Sequence, residues 1–404
     1  MYEFLPVIFF IVTFLLILLG YPVAFTLGGI ATIVGVWVFD IDFFYLLSLR
    51  IYGTMQNFVL LGVPLFIFMG MMLEKSGIAE KLLETMALIF GEFKGGLALS
   101  VIVVGALLAA STGIVGATVV TMGLISLPTM LKRGYKPTLA MGTIAASGTL
   151  GQIIPPSVVL ILLASVLNVS VGALFLAAIV PGLSLIVMYM IYVIIFAHIY
   201  PDQAPAMPSK EIIHFQNKGF SKEIIESFLM PLLLVVLVLG TIIGGIASPT
   251  EAAGVGAMGV LLLTAQKGKL NKKIITSVTK ETLLLTSMVF MILVGATAFS
   301  LVFRGLQGDQ LFLEIISKSN LGPKGFLTLV MIMVFIAGFF IDFIEIVFIL
   351  VPIVTPVFIS MDVDLVWIGI LLALNLQTSF LTPPFGFALF YLKGVTPSEI
   401  KTKQ

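Results

Sequence analysis

The sequence predicts an all-α polytopic membrane protein made of two inverted repeats, each carrying a re-entrant hairpin and a broken helix. Three observations predict it. Of the 404 residues, 60% are hydrophobic and 10% charged, and the mean hydropathy of +1.21 is beyond what a water-soluble chain can hide. Landmarks recur at one offset: Pro155 with Pro383, Pro128 with Pro356 and Gly77 with Gly305 are 228 positions apart, and Pro22 with Pro249 and Gly29 with Gly256 are 227 apart. Two stretches inside apolar runs, Ser147–Ser157 and Asn375–Pro384, put a proline pair behind a row of polar residues. Proline removes a backbone donor and clashes with the preceding turn, so neither run continues as an unbroken helix.

Phe4–Leu19 and Val23–Phe39 each approach the roughly 20 apolar residues of a membrane helix, and Gly20-Tyr21-Pro22 joins them. Phe43–Gln56, with Arg50, reads as an interfacial helix. Phe58–Leu73 is expected to span with a kink at Pro64, and 76–95 is amphipathic and charged. Leu97–Leu127 is too long for one span and too short for two, so a hairpin turning at Ser111–Gly113 is expected. The first broken helix is 137–167, and a long span then runs to about Ile199. The second half repeats this order. Phe228–Ile246 and Ala252–Ala265 span, Lys267–Lys280 is a basic interfacial helix and Leu283–Val302 spans. A second hairpin over 325–358 turns near Asp342–Glu345, and the second broken helix is 365–392.

The domain reading follows. Residues 1–200 form the first repeat, with scaffold helices in 1–56, a hairpin over 97–127 and the first broken helix. Residues 201–227, with Pro201, Pro205 and Pro208, link the halves. Residues 228–404 form the second repeat, with scaffold helices in 228–282. Charge decides between parallel and inverted repeats. Asp40 and Asp42 correspond at the common offset to Lys267 and Lys269, and Lys132-Arg133 correspond to a loop holding Asp362 and Asp364. Both pairs swap sign, so by the positive-inside rule equivalent loops face opposite sides. With Met1 outside, 17 of the 21 Lys and Arg fall on the cytoplasmic side, leaving Arg50, Arg304, Lys318 and Lys324 outside. The N-terminus is then periplasmic and the C-terminus cytoplasmic.

Composition excludes several classes. Cysteine is absent and histidine numbers two, so thiolate metal sites, disulfides and thiol catalysis are out. A net charge of +1 offers no basic face to nucleic acid. Met1–Leu19 lacks a basic start and a small-residue cleavage site, so a cleaved leader is not expected. No His-Glu zinc motif and no histidine near Ser147 or Ser157 support an intramembrane enzyme.

The breaks carry the chemistry instead. Interrupted membrane helices present donors and a positive dipole at half-helix N-termini, and unwound carbonyls for cations. A first candidate cation site joins Ser111, Thr112, Gly113 and Thr118 to Ser147, Gly148, Gly151 and Pro155. A second joins Gly338 and Asp342 to Asn375, Thr378 and Thr382. Hydroxyls, amides and carbonyls suit a hard cation such as Na⁺. Gln152, Ser157, Gln377 and Thr382, with Glu345 at the second tip, are candidates for contact with a polar substrate. Against each stands a plainer role: Ser and Thr in apolar helices commonly bond back to their own helix, and an acid at a hairpin tip can reach water. A passive channel or an ATPase-driven permease is the competing class. A channel needs a continuous polar stripe, whereas polarity here is gathered at the breaks.

Gly151-Gln152-Ile153-Ile154-Pro155-Pro156-Ser157, Leu381-Thr382-Pro383-Pro384-Phe385-Gly386 and Gly62-Val63-Pro64-Leu65-Phe66 resemble the large membrane subunit of TRAP (tripartite ATP-independent periplasmic) transporters, the DctM-like proteins. The resemblance covers essentially the whole chain. It implies an elevator-type secondary transporter in the bacterial inner membrane that takes up an organic acid, typically a carboxylate, with Na⁺ as coupling ion and no other cofactor. It also implies two partners, a small four-helix membrane subunit and a periplasmic substrate-binding protein. The outward N-terminus fits a chain whose small subunit is separate. The first tip departs from the family's usual Gly-Ser-Ser pattern, reading Ser111-Thr112-Gly113, and the second carries an extra acid in Asp342-Phe343-Ile344-Glu345.

Overall fold

The structure, a computed structural model, describes residues 4–208, 224–318, 321–383, 386–397 and 400, without the side chains of 111, 112, 226, 316 and 317. Within these the chain forms eighteen α-helices and no strand. The first half holds α1 (Leu5–Leu18), α2 (Val23–Phe39), α3 (Asp42–Met55), α4 (Gly62–Lys75), α5 (Ile78–Ile89), α6 (Gly96–Thr112), α7 (Val115–Lys132), α8 (Pro137–Thr149), α9 (Val158–Leu167) and α10 (Val171–Ile199). The second holds α11 (Met230–Ile243), α12 (Pro249–Gln266), α13 (Lys272–Gly305), α14 (Gly308–Lys318), α15 (Pro323–Ala337), α16 (Phe343–Ser360), α17 (Leu365–Phe380) and α18 (Phe387–Lys393). Five of them (α7, α10, α13, α16, and α4 with the turn before it) are long and apolar enough to cross a membrane.

Repeat mates begin in register: α7 with α16 and α8 with α17 start 228 positions apart. Contacts between the halves are reciprocal. Helix α2 packs on α13, and its mate α12 packs on α4, the counterpart of α13 in the first half. Helix α9 packs on α16, and its mate α18 packs on α7, the mate of α16. A two-fold relation produces such crossed pairs. Small residues bring the backbones together where lipid supplies no hydrophobic drive: a Cβ on Gly295 of α13 would lie 2.5 Å from the Ala24 carbonyl oxygen of α2. On α12, the Thr250 hydroxyl donates to the Phe58 carbonyl at 2.7 Å. The outer face of α10 leaves Leu176, Val180, Leu183 and Val187 exposed at helical spacing, an apolar stripe along a helix long enough to cross a membrane.

Three expectations shift. Pro64 does not kink a span: Phe58–Leu61 is a 3₁₀ turn and α4 starts at Gly62, leaving the proline in a first turn, where its missing N–H costs nothing. The basic interfacial helix and the span after it are one continuous α13 of 34 residues, about 50 Å long at about 1.5 Å per residue. The charges that suggested a boundary are absorbed, because Glu281 pairs with Lys75 of α4 at 3.0 Å. The second hairpin turns over 338–342, and Glu345 already lies in the first turn of α16. The start of the linker is tied down: Gly95 N–H donates to the Ala204 carbonyl at 2.8 Å and Lys136 N–H to Gln203 at 2.9 Å. The rest of the linker, 209–223, lies outside the described residues.

Candidate functional site

The first break begins where α8 stops at Thr149. A 3₁₀ turn, Leu150–Gln152, follows, then an irregular stretch through Pro155-Pro156 until Ser157 caps α9. Two prolines in succession leave no helical donors there, and Ser157 restarts the helix. Its hydroxyl accepts from Leu160 N–H at 3.4 Å and donates to the Gln152 carbonyl at 3.0 Å. Ser157, a candidate substrate contact, is thus occupied as a cap.

The first hairpin closes over this break. Gly113 ends α6 at φ +62°, a left-handed turn that favours glycine, and a Cβ on it would lie 2.7 Å from Val158 N at the start of α9. Gly105 of α6 abuts Ser147, Gly148 abuts Val119 of α7, and a Cβ on Gly151 would lie 2.7 Å from the Ala109 carbonyl oxygen. The arms of the hairpin therefore pack along Ser147, Gly148 and Gly151, and its tip residue Gly113 meets the start of α9. The Ser147 hydroxyl donates to the Ile144 carbonyl at 3.0 Å and Thr118 to Ile114 at 3.0 Å. Each back-bond uses the hydroxyl proton, and a hydroxyl oxygen that donates still has lone pairs with which it can accept. The side chains of Ser111 and Thr112 lie outside the described ones.

The second break follows α17. Asn375 reaches across to the second hairpin, its Nδ2 donating to the Met331 carbonyl of α15 at 2.7 Å. Thr378 donates to the Leu374 carbonyl at 2.8 Å and Thr382 to Thr378 at 2.8 Å. The nearest neighbour of Gly338 is Ser379. Asp342 and Glu345 form a capping box at the head of α16: the Asp342 carboxylate accepts from Phe343 N–H at 2.7 Å, and Glu345 accepts from Asp342 N–H at 3.0 Å. Both acids thus close the tip, with oxygen lone pairs to spare. Pro384 lies outside the described residues.

The two interrupted segments meet, since α17 packs against the 3₁₀ turn of the first break. Gln152 is fully buried in that turn, and among the described residues neither its Nε2 nor its Oε1 has a hydrogen-bond partner. Burying an unpaired amide costs about 1–3 kcal/mol, which makes this amide the candidate for a polar contact at the break. Gln377 is also buried; its Nε2 donates to the Tyr189 hydroxyl of α10 at 3.2 Å, and its Oε1 has no partner among the described residues. Sequence reasoning missed Ser379 and Tyr189. Ser379 stood in the quoted stretch and differs from its neighbours only in what it faces; Tyr189 lies in an uninterrupted span with no signal.

The chain matches the family described as "Tripartite ATP-independent periplasmic transporter, DctM component" over residues 10–403. It is 32% identical over 371 residues to the C4-dicarboxylate TRAP transporter large permease protein DctM of Pseudomonas aeruginosa, covering 91% of this chain and 84% of that one. It is 32% identical to the ectoine TRAP transporter large permease protein TeaC of Halomonas elongata, covering 93% of this chain and 86% of that one. It is 31% identical to the sialic acid TRAP transporter large permease protein SiaM of Vibrio cholerae, covering 85% and 79%. The fold is similar to that of the YdaH transporter of Alcanivorax borkumensis in its crystal structure, with a TM-score of 0.64 at 14% identity over 98% of this chain and 93% of that one.

Proposed function

The chain belongs to the DctM component family of tripartite ATP-independent periplasmic transporters, a family of permease subunits and not of enzymes, and from that premise we propose how it works. It is the large permease subunit of a Na⁺-driven uptake system in the bacterial inner membrane. A periplasmic binding protein delivers the substrate and a small four-helix membrane subunit completes the complex. The C4-dicarboxylates, ectoine and sialic acid in the relatives' names all carry a carboxylate, so the cargo is a small organic acid.

The orphaned amide of Gln152, buried where the first break meets α17, is the observation that carries this reading. Na⁺ binds beside it at the first tip, between the carbonyls and hydroxyls around Gly113, Thr118 and Ser147, and at the second between Gly338, Asp342, Asn375, Thr378 and Thr382. Gln152 and Gln377 hold the polar part of the cargo. The crossed packing of α9 on α16 and α18 on α7 supports an elevator, because it makes the hairpins and broken helices one body that can slide against α1–α4 and α11–α13. The N-terminal end of α1 faces the periplasm.

Uptake into proteoliposomes with both partners tests it. Accumulation of a carboxylate should follow an inward sodium gradient without ATP, and stop when choline replaces sodium. Accumulation that needs ATP, or that only equilibrates the acid, would sink this mechanism.

A further inference from the structure

We propose that a cavity of about 650 Å³ between α3, α9, α13 and α16 is the outer receiving vestibule for the cargo's anionic group, with Arg50 and Arg304 as its binding pair. The proposal rests on the function and orientation above and adds the place where a small organic oxyanion, carboxylate or sulfonate, first docks on this chain. Both arginines are exposed and line the same cavity, and neither has a carboxylate in salt-bridge range among the described residues. Asn57, Ser165, Thr297 and Ser300 are among the other polar residues of its wall. Lipid does not fill a polar-walled hollow, and its volume suits a small solute. Arginine stays charged at any working pH and grips a carboxylate or sulfonate with two parallel hydrogen bonds.

The position is specific in two ways. Arg50 and Arg304 are two of the four basic residues the topology leaves outside, against 17 inside, and both line this cavity. The cavity also lies where the halves differ. In the first half the chain breaks after α3 and re-enters through the Phe58–Leu61 turn; in the second, α13 runs on unbroken. At the 228-residue offset the mates of Arg50 and Arg304 are Val278 and Ser76, so the repeat supplies no matching basic pair on the opposite face. A receiving site on one side alone is what uptake from a binding protein requires. The cavity also joins two bodies, since Asn57 Nδ2 donates to the Ser165 hydroxyl of α9 at 2.9 Å; an oxyanion at the arginines sits beside this contact between fixed and moving elements.

Phenylglyoxal labelling of arginines in the complex of both membrane subunits in nanodiscs, read by mass spectrometry, tests the proposal. Succinate, ectoine, N-acetylneuraminate and isethionate at millimolar concentration serve as probes, and glycerol as the neutral control. At least one probe should slow labelling of Arg50 and Arg304 several-fold while Arg133, on the opposite face, is unchanged. Three outcomes overturn it: no protection by any probe, equal slowing at Arg133, or arginines unreactive before any acid is added, which would mean a protein surface covers them. In uptake assays Arg50→Gln and Arg304→Gln should each raise KM about ten-fold at unchanged maximal rate, the loss expected for one charged hydrogen-bond donor, with Arg→Lys recovering part of it. An unchanged KM in both Gln variants overturns the proposal as well. Labelling needs neither sodium nor transport, so its result stands apart from the fate of sodium coupling.

Discussion

Gly338 of the second hairpin and Ser379 of the second broken helix meet so closely that a Cβ on Gly338 would lie 2.9 Å from the Ser379 Cβ and overlap its hydroxyl. The first half solves the same contact the other way round. There the broken helix supplies the glycine, Gly151, and the hairpin supplies the methyl, Ala109, with 3.1 Å between Cβ positions. Gly151 and Ser379 are repeat mates, and Gly338 is one position from the mate of Ala109. One small residue per contact is therefore the rule, and which side carries it is free.

Gly338→Ala should consequently push the second hairpin off its helix and destabilise the protein by about 1–3 kcal/mol, the usual cost of overpacking. Gly338→Ala with Ser379→Gly copies the arrangement of the first half and should recover most of that loss. Thermal unfolding of the four proteins in detergent measures the coupling. If the double variant is as unstable as the sum of the singles, the contact is not the one described.

This contact also shows what was legible. The breaks and the repeat could be read because glycine and proline act locally: Pro22 and Pro155 and their mates stand at helix starts and breaks, whereas Pro128 and Pro356, equally regular in spacing, lie inside α7 and α16. The unbroken α13 could not. Lys280-Glu281 looks like an edge in sequence, and only the Lys75 partner, 206 positions away, keeps that charge inside a helix. For the same reason Gln152 was legible as a polar residue in a break, whereas the Gln377–Tyr189 bond was not, since nothing local marks Tyr189. Whether Ser157 faces a ligand or caps a helix is likewise settled by where α9 restarts.

Gln152→Met should separate binding from folding. Methionine fills similar volume and removes two unpaired buried polar atoms, so stability should hold or rise, by up to about 1–3 kcal/mol. Uptake should fall at least ten-fold. A variant that transports normally would show that Gln152 meets no cargo or ion; one that is destabilised would show that the amide has a structural partner.

At the second tip, charge and capping can be told apart. Asp342→Ser keeps a good N-cap for α16, whereas Asp342→Ala loses about 1 kcal/mol with the cap. If the carboxylate helps hold sodium, Asp342→Ser should be as stable as the parent, yet need several-fold more sodium for half-maximal uptake. Thr382→Ala, which removes only a hydroxyl bonded back to Thr378, should shift the sodium requirement the same way. Unchanged sodium activation in both variants would remove the second cation site as drawn.

Tyr135 offers a test by pH outside the membrane. It lies in the turn between α7 and α8, is 3% exposed, and its hydroxyl accepts from Leu97 N–H at 3.3 Å. That amide sits in the first turn of α6, where no carbonyl of its own helix can serve it. Burial pushes the phenol up to about 12, above its ordinary value of about 10. The folded value is raised, so the stability this residue contributes is fully present below about pH 10 and lost as pH rises through about 12. Tyr135→Phe should cost about 1 kcal/mol at neutral pH by orphaning the Leu97 amide. It should also flatten the alkaline fall in unfolding temperature across that window, because phenylalanine has no proton to lose. An alkaline limb equally steep in the variant would place the titration on another group.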